Sequence, residues 1–385
     1  MELGKSIDNQ NGVLVRLTKH VIATVANGSN LVFSPISINV LLSLIAAGSC
    51  SVTKEQILSF LMLPSTDHLN LVLAQIIYGG TEKSDLRLSI ANGVWIDKFF
   101  SLKLSFKDLL ENSYKATCSQ VDFASKPSEV IDEVNTWAEV HTNGLIKQIL
   151  SRDSIDTIRA STLILANAVY FKGAWSSKFE TNMTKENDFH LLDGTSVKVP
   201  FMTNYEDQYL RSYDGFKVLR LPYIEDQRQF SMYIYLPNDK EGLAPLLEKI
   251  GSEPRFFDNH IPLHCISVGA FRIPKFKFSF EFNASEVLKD MGLTSPFNNG
   301  GGLTEMVDSP SNGDNLYVSS IIHKACIEVD EEGTEAAAVS VGVVSCTSFR
   351  RNPDFVADRP FLFTVREDKS GVVLFMGQVL DPSKH

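Results

Sequence analysis

The sequence predicts a mixed α+β fold, on three observations. Apolar residues at helical spacing dominate the first 150 residues, and strand-period alternation dominates the remainder. No linker, repeat or low-complexity segment separates the two halves. One domain over residues 1–385 is therefore expected, and an apolar share of 44% is enough to fill its core.

The elements follow in chain order. In residues 10–26, Val13, Leu14, Leu17, Val21 and Val25 share one helical face. "FSPIS" starts a second helix, with Ser34 as N-cap and Pro35 in the first turn; it stops at Gly48. "SVTKEQILSFL" is a third, with Thr53 and Gln56 spaced like a capping box. "LRLSIANGVWI" alternates as a strand, and "SEVIDEVNTWAEVHTNG" is an amphipathic helix closed by Asn143-Gly144.

"STLILANAVYFKGAW" is apolar on both faces and belongs in the middle of a sheet. Phe276, Phe278, Phe280 and Phe282 alternate with polar residues, the pattern of a half-buried strand. "RPFLFTVREDKSGVVLFMGQVL" gives two buried strands around a "DKSG" turn.

Composition excludes several functions. A net charge of −10, with no basic run, argues against nucleic acid or heparin as the main partner. No window reaches the roughly 18 apolar residues of a membrane span, and the N-terminus lacks a secretory apolar core. The expected compartment is therefore cytoplasmic or nucleocytoplasmic, with release from the cell still open. Five scattered cysteines (Cys50, Cys118, Cys265, Cys326, Cys346) form neither a disulfide framework nor a metal spacing.

No G-x-S-x-G, H-E-x-x-H, G-x-G-x-x-G or phosphate loop occurs, so neither an enzyme nor a cofactor is expected; "NNGGG" at 298–302 reads as a loop. His141, His190, His260 and His264 fall at helix ends or in loops, whereas His323 lies inside the strand "VSSIIHKAC".

The stretch after that strand is unusual. "DEEGTEAAAVSVGVV" (330–344) is followed by no hairpin signal before Asn352-Pro353. A loop that long inside a compact domain usually has a function.

Together, "NLVFSPISI", "LILANAVYFKGAW", "FSMYIYLPND", "VLKDMGLTSPF", "VSSIIHKACIEVDEEGTEAAA" and "DFVADRPFLFTV" resemble the serpins, plant serpins above all, along essentially the whole chain. The resemblance implies three β-sheets, eight to nine helices and an exposed reactive-centre loop over about 333–357. It also implies a monomer that traps a target protease covalently: the protease cuts the loop, which inserts into the main sheet as a new strand.

Residue types in the loop meet that demand. With Thr334 facing inward, the buried set of an inserted strand is Thr334, Ala336, Ala338, Ser340 and Gly342, all small. Glu335, Ala337, Val339, Val341 and Val343 face the other way. The resemblance marks Glu331, Glu332, Gly333, Thr334, Glu335, Ala336, Ala337, Ala338, Val339 and Ser340 as the hinge. It likens Ser34, Ser37, Asn167 and His323 to the shutter beneath the sheet and Trp175 to the breach, and it pairs Lys275 with Glu331.

Counting fourteen residues on from Gly333, as the family implies, places the scissile bond at Thr347–Ser348. Phe349-Arg350 would suit a papain-like protease, but a cut there adds roughly 10 Å of slack. Residues 66–80 lack the basic cluster of heparin-dependent members, so no polysaccharide cofactor is expected. A non-inhibitory member that binds, chaperones or stores remains the alternative.

Overall fold

The computed structural model describes residues 2–26, 28–65, 87–224, 228–308, 316–333 and 352–384. Among these, nine α-helices surround three sheets of seven, four and five strands.

The five-stranded sheet runs in the order Phe276–Asn283, Ser320–Val329, Leu163–Lys172, Arg87–Asp97, Ala116–Val121. Its third and second strands are parallel neighbours in register, from Ser320 opposite Ile164 to Cys326 opposite Tyr170. Every other residue of Leu163–Lys172 faces a different core. Leu163, Leu165, Val169 and Phe171 join the large core, and Ile164, Ala166 and Ala168 join a smaller one. That two-sided burial is why the segment is apolar throughout.

The smaller core is closed by the helix Pro127–His141, whose Val130, Ile131, Val134 and Trp137 lie over the sheet. Asn143 and Gly144 both take positive φ and end it. Behind the sheet lies the helix Pro35–Ala47, mostly apolar and buried on every face except near its end, its polar Ser37, Asn39 and Ser43 included. Its position between the two largest sheets explains its lack of amphipathicity.

Two local expectations are corrected. The first helix runs Glu2–Val21, beginning well before the predicted start, and a π-helical turn Ile22–Ala26 follows. The helix Ser51–Leu61 has no capping box, because its N-cap is Cys50. Thr53 instead donates to the carbonyl of Gly301 at 2.7 Å, and Gln56 accepts from the Ser295 N–H at 2.9 Å. Tertiary partners outcompete the local cap. They tie this helix to the segment from Ser295 to Gly301.

Candidate functional site

The site begins where the strand Ser320–Val329 ends and the chain reverses. Asp330–Gly333 turns back beside the extension of Leu163–Lys172, and Gly333 forms an antiparallel bridge with Ala174. Gly333 has φ +112°, and a Cβ there would lie 2.4 Å from the Gly173 carbonyl and 2.5 Å from the Trp175 nitrogen. No other residue fits without moving backbone.

Trp175 closes this corner. Its backbone N–H donates to the Glu332 carbonyl at 3.0 Å and its indole N–H to the Asp330 carbonyl at 2.9 Å. The ring stacks on Tyr223 with centroids 4.5 Å apart. Glu331 is buried but doubly bound, accepting from Lys275 Nζ at 2.6 Å and Thr184 Oγ1 at 2.7 Å. Burial disfavours its ionisation, yet those hydrogen bonds outweigh it and hold its pKa below the ordinary glutamate value. Asp330 moves the opposite way, raised mainly by burial.

Lower in the same sheet, a polar row crosses three strands. The Ser34 N–H donates to His323 Nε2 at 3.1 Å, and His323 Nδ1 stands 3.1 Å from Asn167 Oδ1. Asn167 Nδ2 donates to Asn92 Oδ1 at 2.8 Å, and Asn92 Nδ2 to the Tyr114 carbonyl at 3.3 Å. Because Nε2 accepts, the proton of the neutral ring sits on Nδ1, which donates to Asn167. The whole row then has one donor direction. Burial drives the His323 pKa down to about 3, so the ring is neutral at physiological pH. Ser37 donates to the Ser34 carbonyl at 2.8 Å and fixes the first helical turn beside the row.

Thus Ser34, Ser37, Asn167 and His323 come together, as do Trp175, Lys275, Glu331, Glu332 and Gly333. Thr334, Glu335, Ala336, Ala337, Ala338, Val339, Ser340, Thr347 and Ser348 lie outside the described residues, as do 66–80. Sequence reasoning passed over Asn92, Thr184 and Asp330. Asn92 left one signal, a polar residue at a strand position that alternation reserves for apolar side chains.

A family model described as Serpin (serine protease inhibitor) matches residues 8–382. The chain belongs to the serpin family. It is 96% identical to Serpin-Z10 of Arabidopsis thaliana and 77% identical to Serpin-Z3 of the same plant, with all of both chains covered in each case. A solved structure of Arabidopsis AtSerpin1, described as the native stressed conformation, is 56% identical, covers 100% of both chains and superposes with a TM-score of 0.92. Serpin membership supports protease inhibition as the general activity. The fold is the serpin fold, with its three sheets.

The remaining candidate groups are quiet in this serpin. His141, His190 and His260 each place Nδ1 within 2.9 Å of a local oxygen. Cys50, Cys118, Cys265 and Cys326 are free thiols. Burial pushes the Cys118 thiol up to about 11 and raises that of Cys326, which leaves both poorly nucleophilic. No helix among the described residues is long and apolar enough to cross a membrane.

Proposed function

We propose that this chain, a single domain over 1–385, inhibits serine-type proteases irreversibly. Its loop, cut at Thr347–Ser348, inserts between Ser320–Val329 and Leu163–Lys172. One observation carries the reading: Gly333 already lies antiparallel to Ala174, at the open end of the one parallel pair next to it. A strand continuing from Gly333 would run antiparallel to both neighbours. It would replace one parallel ladder by two antiparallel ones, the slightly stronger arrangement.

The residues suit the step. Thr334, Ala336, Ala338, Ser340 and Gly342 are small enough to enter the packed space beneath the sheet. Insertion would form on the order of ten backbone hydrogen bonds at about 1 kcal/mol each net. It would carry an acyl-linked protease about 46 Å, at roughly 3.3 Å per residue. The shutter row and the Lys275–Glu331 pair hold the five-stranded form until that happens. Papain-like cysteine proteases are a second target class, since acylation would tether them in the same way. The site of action is the cytoplasm or nucleoplasm, and also wherever the protein is released.

The test is thermal unfolding before and after the loop is nicked, with the cut located by mass spectrometry. A large rise in Tm, and an SDS-stable complex with the protease cleaving after Thr347, are expected. No rise, with the cut confirmed between Val344 and Arg351, would transfer the function to non-inhibitory binding, chaperoning or storage. Complexes captured only after Arg350 would reject the Thr347–Ser348 bond.

A further inference from the structure

We propose that Asn299, in the exposed turn 298–300, is a site of spontaneous backbone modification. The Gly300 nitrogen closes on the Asn299 side chain, the residue converts to isoaspartate, and the end of the five-stranded sheet farthest from Gly333 is loosened. The modification stands by itself, and its bearing on inhibition rests on the insertion reading above.

Six Asn–Gly pairs occur in the chain, beginning at residues 11, 27, 92, 143, 299 and 312. Glycine has no Cβ to shield its nitrogen, so at these pairs that nitrogen reaches the asparagine side chain most easily. Asn27 and Asn312 lie outside the described residues. Three of the other four are locked. Asn11 lies within the helix Glu2–Val21, and its Nδ2 donates to the Gly371 carbonyl at 3.0 Å. Asn92 is buried in the strand Arg87–Asp97, with both Oδ1 and Nδ2 hydrogen-bonded. After Asn143, the Gly144 N–H is committed to the Glu139 carbonyl at 2.8 Å, as part of a helix cap.

Asn299 differs on every count. Residues 298–300 are exposed and belong to no helix or strand. Among the described residues, neither the Asn299 side chain nor the Gly300 N–H makes a hydrogen bond. The chemistry needs only water and base. The Gly300 nitrogen gives up its proton and bonds to Asn299 Cγ, the Cγ–Nδ2 bond breaks, and ammonia leaves. Water then opens the five-membered imide at one carbonyl or the other, giving aspartate or isoaspartate. One water enters and one ammonia departs, with no change of oxidation state.

Isoaspartate lengthens the main chain by one methylene, and the turn has no slack for it. On one side, the carbonyls of Gly301 and Gly302 accept from Thr53 Oγ1 and the Cys50 N–H, both at 2.7 Å. On the other, the Pro296 carbonyl accepts from the Val318 N–H at 2.9 Å. The backbone between is compact, since a Cβ on Gly301 would stand 2.8 Å from the Ser295 carbonyl oxygen and 3.0 Å from that of Asn298. An extra main-chain atom therefore displaces one of these ties. The tie at Val318 steadies the strand end where Ser320 pairs with Ile164, at the foot of the parallel pair that insertion would part.

The experiment uses the full-length protein, as wild type and Asn299→Gln, aged in mildly alkaline and mildly acidic buffer. Peptide mapping by mass spectrometry locates each amide-to-acid conversion. Uptake of labelled methyl groups from a protein isoaspartyl methyltransferase counts the isoaspartate, and Tm is measured before and after nicking the loop. Expected is conversion at Asn299, faster in alkali, with methyl uptake on that peptide and with Asn11, Asn92 and Asn143 intact. The Tm of uncut wild type should fall by about 2 °C as conversion completes, the loss of about one hydrogen bond, while Asn299→Gln keeps its Tm. An unconverted Asn299 in aged protein overturns the proposal, whatever happens at Asn27 or Asn312. Conversion at Asn299 with the Tm of wild type unchanged overturns the loosening. Fresh protein that shows no rise in Tm on nicking overturns the insertion reading and the link to inhibition, and the peptide map then judges the modification alone.

Discussion

His323 and Asn167 face each other across two parallel strands, with Nδ1 of one 3.1 Å from Oδ1 of the other. The pair lies across the line along which those strands would part to admit a third. Its hydrogen bond belongs to the five-stranded sheet and would break if the sheet opened there. The imidazole that bridges the two strands is neutral and fully buried.

The first prediction concerns acid. The folded pKa of His323, about 3, lies below the unfolded value near 6.5, so the unfolded chain takes up the proton first. The stabilisation from the neutral ring is complete above about pH 6.5 and is lost as pH falls toward 3, by on the order of 1.4 kcal/mol per pH unit. Unfolding midpoints of the uncut protein from pH 7 to pH 4.5 should fall accordingly, and more gently for His323→Gln. Identical slopes would remove His323 from this role.

Gly333→Ala tests the corner. A methyl group would sit against the Gly173 carbonyl and the Trp175 nitrogen, in a backbone conformation that alanine rarely adopts. The uncut protein should lose about 1–3 kcal/mol. The cut protein should show a smaller Tm rise. A variant with the wild-type Tm before and after cutting would show that this bridge constrains nothing.

Lys275→Met strips one partner from a buried carboxylate and leaves it the Thr184 hydroxyl. The expected cost is about 1–3 kcal/mol. Adding Glu331→Gln should recover part of it, since a neutral amide needs no cation. A double-mutant cycle on Tm measures this, and strict additivity would mean that Lys275 and Glu331 are not coupled.

Trp175 should report on the corner. Its indole stacks on Tyr223 and donates to the Asp330 carbonyl, and the chain has only two other tryptophans, Trp95 and Trp137. Nicking the loop should change the fluorescence of wild type, and Trp175→Phe should abolish most of that change. An undiminished signal would place the rearrangement under the helix Pro127–His141, where Trp95 packs edge to face on Trp137 of that helix.

Much of this was legible in the residues. Two-sided apolarity placed Leu163–Lys172 at the centre of a sheet, and alternation placed the phenylalanines of Phe276–Asn283 on one face. The Lys275–Glu331 pair followed from family resemblance and stands at 2.6 Å. These features are local or periodic, and a one-dimensional string preserves them.

The tertiary structure decided the rest. Thr53 and Gln56 look like a cap but bond to Gly301 and Ser295, because partners more than 200 residues away offer better geometry than the helix itself. Asn92 completes the polar row only because Arg87–Asp97 lies beside Leu163–Lys172 in a register that sets Asn92 against Asn167. Periodicity tells which face a side chain occupies. Strand order and register determine what stands opposite it, and they are set by packing of the whole chain.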